Sequence, residues 1–302
     1  MIFMNSRILI IGAGELGQAL GGYLGAKGCK ISLWDADSSK STDERPLHEI
    51  VSSIDFVFLC VPSWAIRSVL SDMTSALPST SIIVSFSKGM DESDGRKTTG
   101  ELLPELLPNF QQFVIVGGPM LAAEITAGKN AAAVFASSFG TAAKKVADLF
   151  VSPVFATEIS NDAKSVSLAG VLKNIYALGL GIVDGLELDG NAKGWIVARA
   201  VNESLGIAEV LGADKKIMLG TAGLADFVAT GYSPYSRNRE VGDEIVKNGK
   251  CNLKGEGVVS IPPLMIRLGE NAAKFPLLNA IKKIAVDCEP AKPIMDEYFT
   301  AD

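Results

Sequence analysis

Short apolar runs recur through the first half of the chain, each bounded by Gly, Pro or Asp and separated from the next by a segment of helical spacing. Arg7–Ile11 and Lys30–Trp34 read as strands, as do residues 55–61, 81–85, 113–116, 131–135 and 154–158. Short apolar runs that alternate with helices indicate βαβ units and a largely parallel sheet. No strand pattern follows residue 160. From there the period is helical. Residues 161–185 form a long, apolar stretch; 191–211 is amphipathic with Gly212 as its stop; 237–247 has Ser236 as N-cap and Gly249 near its end. Two more helices are expected over 262–273 and 277–286. The pattern predicts a doubly wound, mainly parallel α/β domain over residues 1–160 and an all-helical domain over 161–302.

Composition narrows the chemistry. The chain has 302 residues, a length that favours two domains. It is 48% hydrophobic and 21% charged, ordinary for a globular protein, with a net charge of −6. That balance implies no broad basic surface, so no nucleic-acid partner is expected. No unbroken apolar run approaches the roughly 18 residues of a membrane span, and the N-terminus runs straight into a strand without a signal-peptide pattern. There is one histidine, His48, in a segment that reads as a short surface helix, so a His-centred relay or a two-His metal site is not expected. The four cysteines, Cys29, Cys60, Cys251 and Cys288, make no Cys-x-x-Cys pair. That argues against a metal site and fits a reducing, cytoplasmic setting.

Glycine is abundant, 30 residues, and its placement is informative. Gly12-Ala-Gly14-Glu15-Leu16-Gly17 fits G-x-G-x-x-G between the first strand and a helix, the context a dinucleotide-binding, Rossmann-like fold requires. The first glycine permits the tight turn, the second admits a pyrophosphate to the backbone, and the third lets the helix pack closely. Asp35 at the end of the second strand stands where a carboxylate meets an adenosine ribose, which favours NAD. Asp37 competes for that role, while Lys40 and Arg45 could meet the 2′-phosphate of NADP.

Polar residues inside the apolar helix of 161–185 are the second signal. Lys173 and Asn174 sit at its middle, and an unpaired buried ammonium is too costly to be a packing choice. Burial lowers a lysine pKa, which suits proton transfer near neutrality. Asp226 and Thr230 are four residues apart and share a face if helical. Arg237 and Asn238 open the next helix, where a guanidinium, an amide and free N–H groups suit a phosphate. Lys88 follows the C-terminal end of a strand, where ligand clefts open in doubly wound sheets.

Together these residues resemble the NAD(P)-dependent glycerol-3-phosphate dehydrogenase family. The matching stretches run in order: Gly12 to Gly17, Val61-Pro62-Ser63, Lys88-Gly89, Gly118-Pro119 with Ala122 and Glu124, Leu172-Lys173-Asn174, Gly190 to Lys193, Gly223 to Thr230 and Ser236-Arg237-Asn238. The resemblance implies hydride transfer with NAD (or NADP), interconverting dihydroxyacetone phosphate and sn-glycerol 3-phosphate in glycerophospholipid metabolism. It implies Lys173 as general acid–base with Asp226 holding it. Lys88, Asn174, Thr230, Arg237 and Asn238 would contact substrate. Gly12, Gly14, Glu15, Leu16, Gly17, Asp35, Pro62, Arg237 and Glu256 would contact cofactor. The partner is then a small phosphorylated ketone or alcohol, and a homodimer is compatible with it. One departure stands out: the 19 residues between Asp35 and Asp55 are fewer than the family usually has, so the sheet is expected to lack a strand there. A ketopantoate-reductase-like enzyme and a nucleotide-binding regulatory homologue with little catalysis are the alternatives.

Overall fold

The computed structural model describes residues 5–93, 95–249 and 254–300. Its first part runs β1 (Arg7–Ile11), α1 (Glu15–Ala26), β2 (Lys30–Trp34), α2 (Leu47–Ile50), β3 (Phe56–Leu59), α3 (Ile66–Met73), β4 (Ile82–Ser85), α4 (Thr99–Leu106), β5 (Gln112–Gly117), α5 (Ala122–Thr126), β6 (Ala131–Ala136), α6 (Ala142–Phe150) and β7 (Phe155–Ser160). Every strand expected from the apolar runs is present, with ends moved by a residue or two. The sheet order is β2-β1-β3-β4-β5-β6-β7, parallel throughout except where β5 meets β6. Strands β1, β3 and β4 are covered on both faces, which is why they read as unbroken apolar runs. Ile8, Ile10, Phe58 and Val84 pack with Leu20 and Leu24 of α1 and Phe150 of α6. Each such burial stabilises by roughly 1.5–3 kcal/mol.

The order of strands reverses at β1, so the switch point of the sheet lies beyond its C-terminal end. The Gly12–Gly17 loop occupies that place. On the far side of β1, β2 is the edge strand, and the link from β2 to β3 holds only α2 and two single-turn helices, Ser38–Lys40 and Val51–Ser53. The shortened segment therefore adds no strand outside β2.

The rest of the described chain is helical: α7 (Ala163–Gly185), α8 (Gly190–Leu211), α9 (Lys215–Leu219), α10 (Asp226–Tyr232), α11 (Arg237–Asn248), α12 (Glu256–Leu268), α13 (Pro276–Ala285) and α14 (Ala291–Thr300). Gly212 and Gly249 close α8 and α11 in the left-handed conformation, and the Ser236 side chain caps α11 by accepting from the Arg239 N–H. The helix expected from Pro262 starts earlier, at Glu256, and carries Pro262 and Pro263 inside it. Burial of Ile261, Pro263, Leu264 and Leu268 outweighs the local preference against proline there.

Two further expectations need correction. By length and composition α7 does reach the range of a membrane span, but 94% of its most apolar window is buried inside the protein, so it is a core helix. Cys29 and Cys60 form no disulfide, whereas Cys288 is disulfide-bonded, which its isolated spacing did not indicate. Cys251 lies outside the described residues.

The chain divides into two compact units. One comprises residues 1–87 and 99–167 and contains the sheet; the other comprises 88–98 and 168–302. The short excursion 88–98 groups Lys88 with the helical unit although it follows a sheet strand in the sequence.

Candidate active site

In the sheet unit, the glycine loop has the conformation its pattern implies. Gly12 has φ +97°, and a Cβ there would lie 2.6 Å from the Cys60 carbonyl oxygen. A Cβ on Gly17 would lie 2.0 Å from the Gly12 oxygen, so α1 can start so close to β1 only with glycine. At Gly14 a Cβ would meet nothing within 4 Å, and no side chain caps the first turn of α1. Open space before uncapped helix N–H groups fits a dinucleotide pyrophosphate. Glu15 and Leu16 follow in the first turn, and Pro62 is exposed after β3. Asp35 is drawn onto the loop itself: Oδ2 accepts from the Ala13 N–H at 2.7 Å and Oδ1 from the Asp37 N–H at 3.0 Å. Lys40 pairs with Asp37 and Arg45 with Asp43, both at the surface. His48 is exposed on α2.

The helical unit brings the remaining candidates together. Asp226 opens α10 after a wide turn of π type over Thr221–Ala225, closed by Gly223, whose Cβ would clash with the Met218 oxygen at 2.1 Å. That turn aims the Asp226 carboxylate at two ammonium groups. Lys88 Nζ donates to Oδ2 at 2.6 Å, and Lys173 Nζ lies 3.2 Å from Oδ1. The three side chains are 14%, 10% and 3% exposed, for Lys88, Lys173 and Asp226 respectively. Lys173 also donates to Thr230 Oγ1 at 2.9 Å, and Thr230 donates to Asp226 Oδ1 at 3.1 Å. Gly170, one turn before Lys173 on α7, leaves room for the Lys88 stem: a Cβ there would lie 3.1 Å from Lys88 Cγ.

The electrostatics follow from this arrangement. Burial lowers the Lys173 ammonium to about 8, opposed by the attraction of Asp226 and assisted by the repulsion of Lys88. Burial would raise the Asp226 carboxyl, but the charges of Lys173 and Lys88 prevail and hold it below the usual carboxylate range. Two ammoniums against one carboxylate leave a net positive, poorly solvated centre, suited to an anionic substrate and to a carbonyl oxygen that gains charge.

Asn174 and Asn238 are committed to the frame of this centre. Asn174 donates to the Lys88 carbonyl at 2.8 Å and accepts from Asn238 Nδ2 at 2.9 Å; Asn238 Oδ1 accepts from the Gly257 N–H at 2.9 Å. Gly257 follows Glu256 in the first turn of α12, and a Cβ there would press on the Asn174 oxygen at 2.6 Å. Arg237 is half exposed and pairs within its own helix, with Glu240 at 2.7 Å and Glu244 at 3.7 Å. Sequence reasoning missed the amide relay between Asn174 and Asn238. Its only trace in the sequence is the pair of asparagines next to the two candidate cations.

Comparison with known proteins bears on this geometry. Residues 162–296 match the family profile described as NAD-dependent glycerol-3-phosphate dehydrogenase C-terminus, and residues 42–143 match the corresponding N-terminus profile. The glycine loop precedes the second match. The glycerol-3-phosphate dehydrogenase [NAD(P)+] of Dehalococcoides mccartyi strain CBDB1 is 34% identical, covering 82% of this chain and 76% of its own. That of Streptomyces coelicolor is 30% identical over 95% of this chain and 93% of its own. In structure, the Coxiella burnetii glycerol-3-phosphate dehydrogenase superposes with a TM-score of 0.88 at 24% identity, covering 99% of this chain and all of the other. A ketopantoate reductase from Ralstonia eutropha shares the fold at 17% identity and a TM-score of 0.60, covering 96% of this chain and 98% of its own. With two profile matches spanning most of the residues that carry the Lys-Asp-Lys centre, and relatives of one name along nearly its whole length, the chain belongs to the NAD(P)-dependent glycerol-3-phosphate dehydrogenase family.

Proposed function

We propose that this chain catalyses the reaction of its family, the interconversion of dihydroxyacetone phosphate and sn-glycerol 3-phosphate, with Lys173 as general acid–base. The observation that carries the assignment of roles is the single buried carboxylate of Asp226 shared by Lys173 and Lys88. A bound NADH or NADPH would supply the hydride for the C2 carbonyl carbon. The carbonyl oxygen then becomes an alkoxide, and the proton it takes comes from Lys173 Nζ. The Lys88 ammonium beside it stabilises the developing negative oxygen. Asp226 keeps both ammoniums oriented and offsets their repulsion, while Thr230 accepts from Lys173 and fixes its third direction. In the oxidative direction neutral Lys173 removes the hydroxyl proton. Arg237 and Asn238, at the first turn of α11, are the proposed phosphate contacts, with the Glu240 pairing of Arg237 exchanged for the phosphate on binding. Gly12, Gly14 and Gly17 would hold the pyrophosphate, with Asp35 ordering the loop through the Ala13 N–H.

The product carries free hydroxyls and a terminal phosphate, the form that an acyl-transfer reaction of glycerophospholipid synthesis consumes. A cytoplasmic site belongs to the same reading, and cell fractionation tests it. The test of function is oxidation of NADH and NADPH in parallel, with dihydroxyacetone phosphate and ketopantoate as competing substrates. Turnover with the phosphorylated ketone is expected. Turnover with ketopantoate alone overturns the substrate assignment, and tight NADH binding without turnover on either overturns the catalytic one.

A further inference from the structure

The reacting and phosphate-binding groups stand on different helices: Lys173 and Asn174 on α7, Arg237 and Asn238 on α11. Substrate length is read correctly only if those helices keep a set height and rotation relative to each other. They run side by side with backbones in contact. A Cβ on Gly181 would lie 1.9 Å from the Arg239 oxygen, and one on Gly242 would lie 2.2 Å from the Leu178 oxygen. A Cβ on Gly185 would lie 2.6 Å from Val246 Cβ. The Gly181–Arg239 and Leu178–Gly242 contacts mark where the two helices meet. Glycine contacts permit close approach but offer no directional restraint against sliding or rolling.

Two polar contacts supply that restraint. At the site end it is the Asn174–Asn238 amide bond. Further along α7 it is Asp184, whose carboxylate is 11% exposed. Its Oδ2 accepts from Arg239 Nε at 2.5 Å, and its Oδ1 pairs with the Lys193 ammonium of α8. Arg239 is two residues from Arg237 and adjacent to Asn238, and its N–H is held by the Ser236 cap. Asp184 lies eleven residues after Lys173, which is about three turns and roughly 16 Å along the same face of α7. The carboxylate thus ties the first turn of α11 to the helix that carries the proton donor. The ionic, hydrogen-bonded pair is directional and, where half-buried, strong.

We propose that Asp184 is a positioning residue for phosphate recognition: by holding Arg239 it sets the place of Arg237 and Asn238 relative to Lys173, and so the length of substrate the site accepts. The inference rests on the reaction and phosphate roles given under Proposed function. It is tested with Asp184→Asn, which keeps the side-chain shape, assayed with dihydroxyacetone phosphate and with phosphate-free dihydroxyacetone. The KM for the phosphorylated ketone is expected to rise about tenfold or more, because small displacements of a binding group are costly. Its kcat is expected to stay within about threefold, and kcat/KM for dihydroxyacetone within about twofold of the parent. Arg239→Gln is expected to give the same split from the other side of the contact, and it stands in if Asp184→Asn does not fold. The double variant is then no worse than either single one. An unchanged KM for the phosphorylated ketone, or an equal loss on both substrates, overturns the positioning role while leaving the family reaction standing. A parent enzyme that does not reduce dihydroxyacetone phosphate overturns the reaction itself and this inference with it.

Discussion

Lys173 titrates near neutral conditions because burial, assisted by Lys88, outweighs the attraction of Asp226 and lowers its pKa to about 8. A consequence can be measured. Ketone reduction needs the protonated amine, so its rate is expected to fall as pH rises through about 8, whereas alcohol oxidation needs the neutral amine and is expected to rise there. The neighbours set the direction of any shift. Asp226→Asn removes the attraction and should move the falling limb of the reduction profile to lower pH. Lys88→Met removes a like charge and should move it higher. Identical limbs in both variants and the parent would remove Lys173 from the titration. Lys173→Ala should lower turnover by about 10²–10⁴-fold, the usual range for a lost proton donor. Arg237→Ala belongs to the same scale: its side chain is 53% exposed, so the fold should tolerate the change, while KM for the phosphorylated ketone rises and that for dihydroxyacetone does not. At this scale the burial of Lys173 and Asn174 was legible in the sequence, because polar residues at apolar helix positions are a local feature; the role of Arg237, which here pairs with Glu240 at the surface, was not. The Lys88–Asp226 contact was not, since it joins residues 138 apart.

Among elements, the glycine loop and its helix separate stability from binding. In Gly17→Ala the new Cβ would meet the Gly12 oxygen at 2.0 Å, so α1 must shift, and loss of both thermal stability and NADH binding is expected. In Gly14→Ala the Cβ enters open space. Denaturation should change by less than about 1 kcal/mol, while NADH affinity, read by fluorescence titration, falls about tenfold. Equal binding by parent and Gly14→Ala would place the pyrophosphate elsewhere. A second element depends on a buried acid. Glu203 of α8 accepts from the Leu277 and Leu278 N–H groups at 2.6 and 2.9 Å and from the hydroxyl of fully buried Tyr176 at 2.9 Å. Glu203→Ala leaves those donors unsatisfied and should destabilise by about 3 kcal/mol or more in urea unfolding. The start of α13 near Pro276 was legible from its apolar spacing; that a glutamate on α8 caps it was not, because nothing near Pro276 in sequence marks it.

Across the whole chain, the glycine loop proposed for the pyrophosphate lies in the sheet unit and the proton-transfer groups Lys88, Lys173 and Asp226 in the helical one. Lys173→Ala is therefore expected to bind NADH within about twofold of the parent while losing turnover, and titration of the pure variant checks this. The division also explains how a lysine placed after β4 in sequence joins a helical centre: residues 88–98 leave the sheet unit and return at Thr99. The strands and their mainly parallel arrangement were readable, but the strand order and the antiparallel β5–β6 pair were not. Strand positions came from apolar runs, and the short link after Asp35 anticipated an edge at β2 with no strand beyond it.

What the sequence determined by itself was whatever depends on neighbours along the chain: strands covered on both faces, the glycine turn, the Ser236 cap, the left-handed stops at Gly212 and Gly249, and the anomaly of a lysine inside an apolar helix. Those features arise from backbone geometry and side-chain spacing over a few residues. Only the tertiary structure decided which charges share Asp226, that Asn174 and Asn238 join through their amides, that Asp184 reaches Arg239, and that α12 runs on through Pro262 and Pro263. Each of these is a balance of desolvation, hydrogen bonding and packing between segments far apart in sequence, and local preference is too weak to settle such a balance.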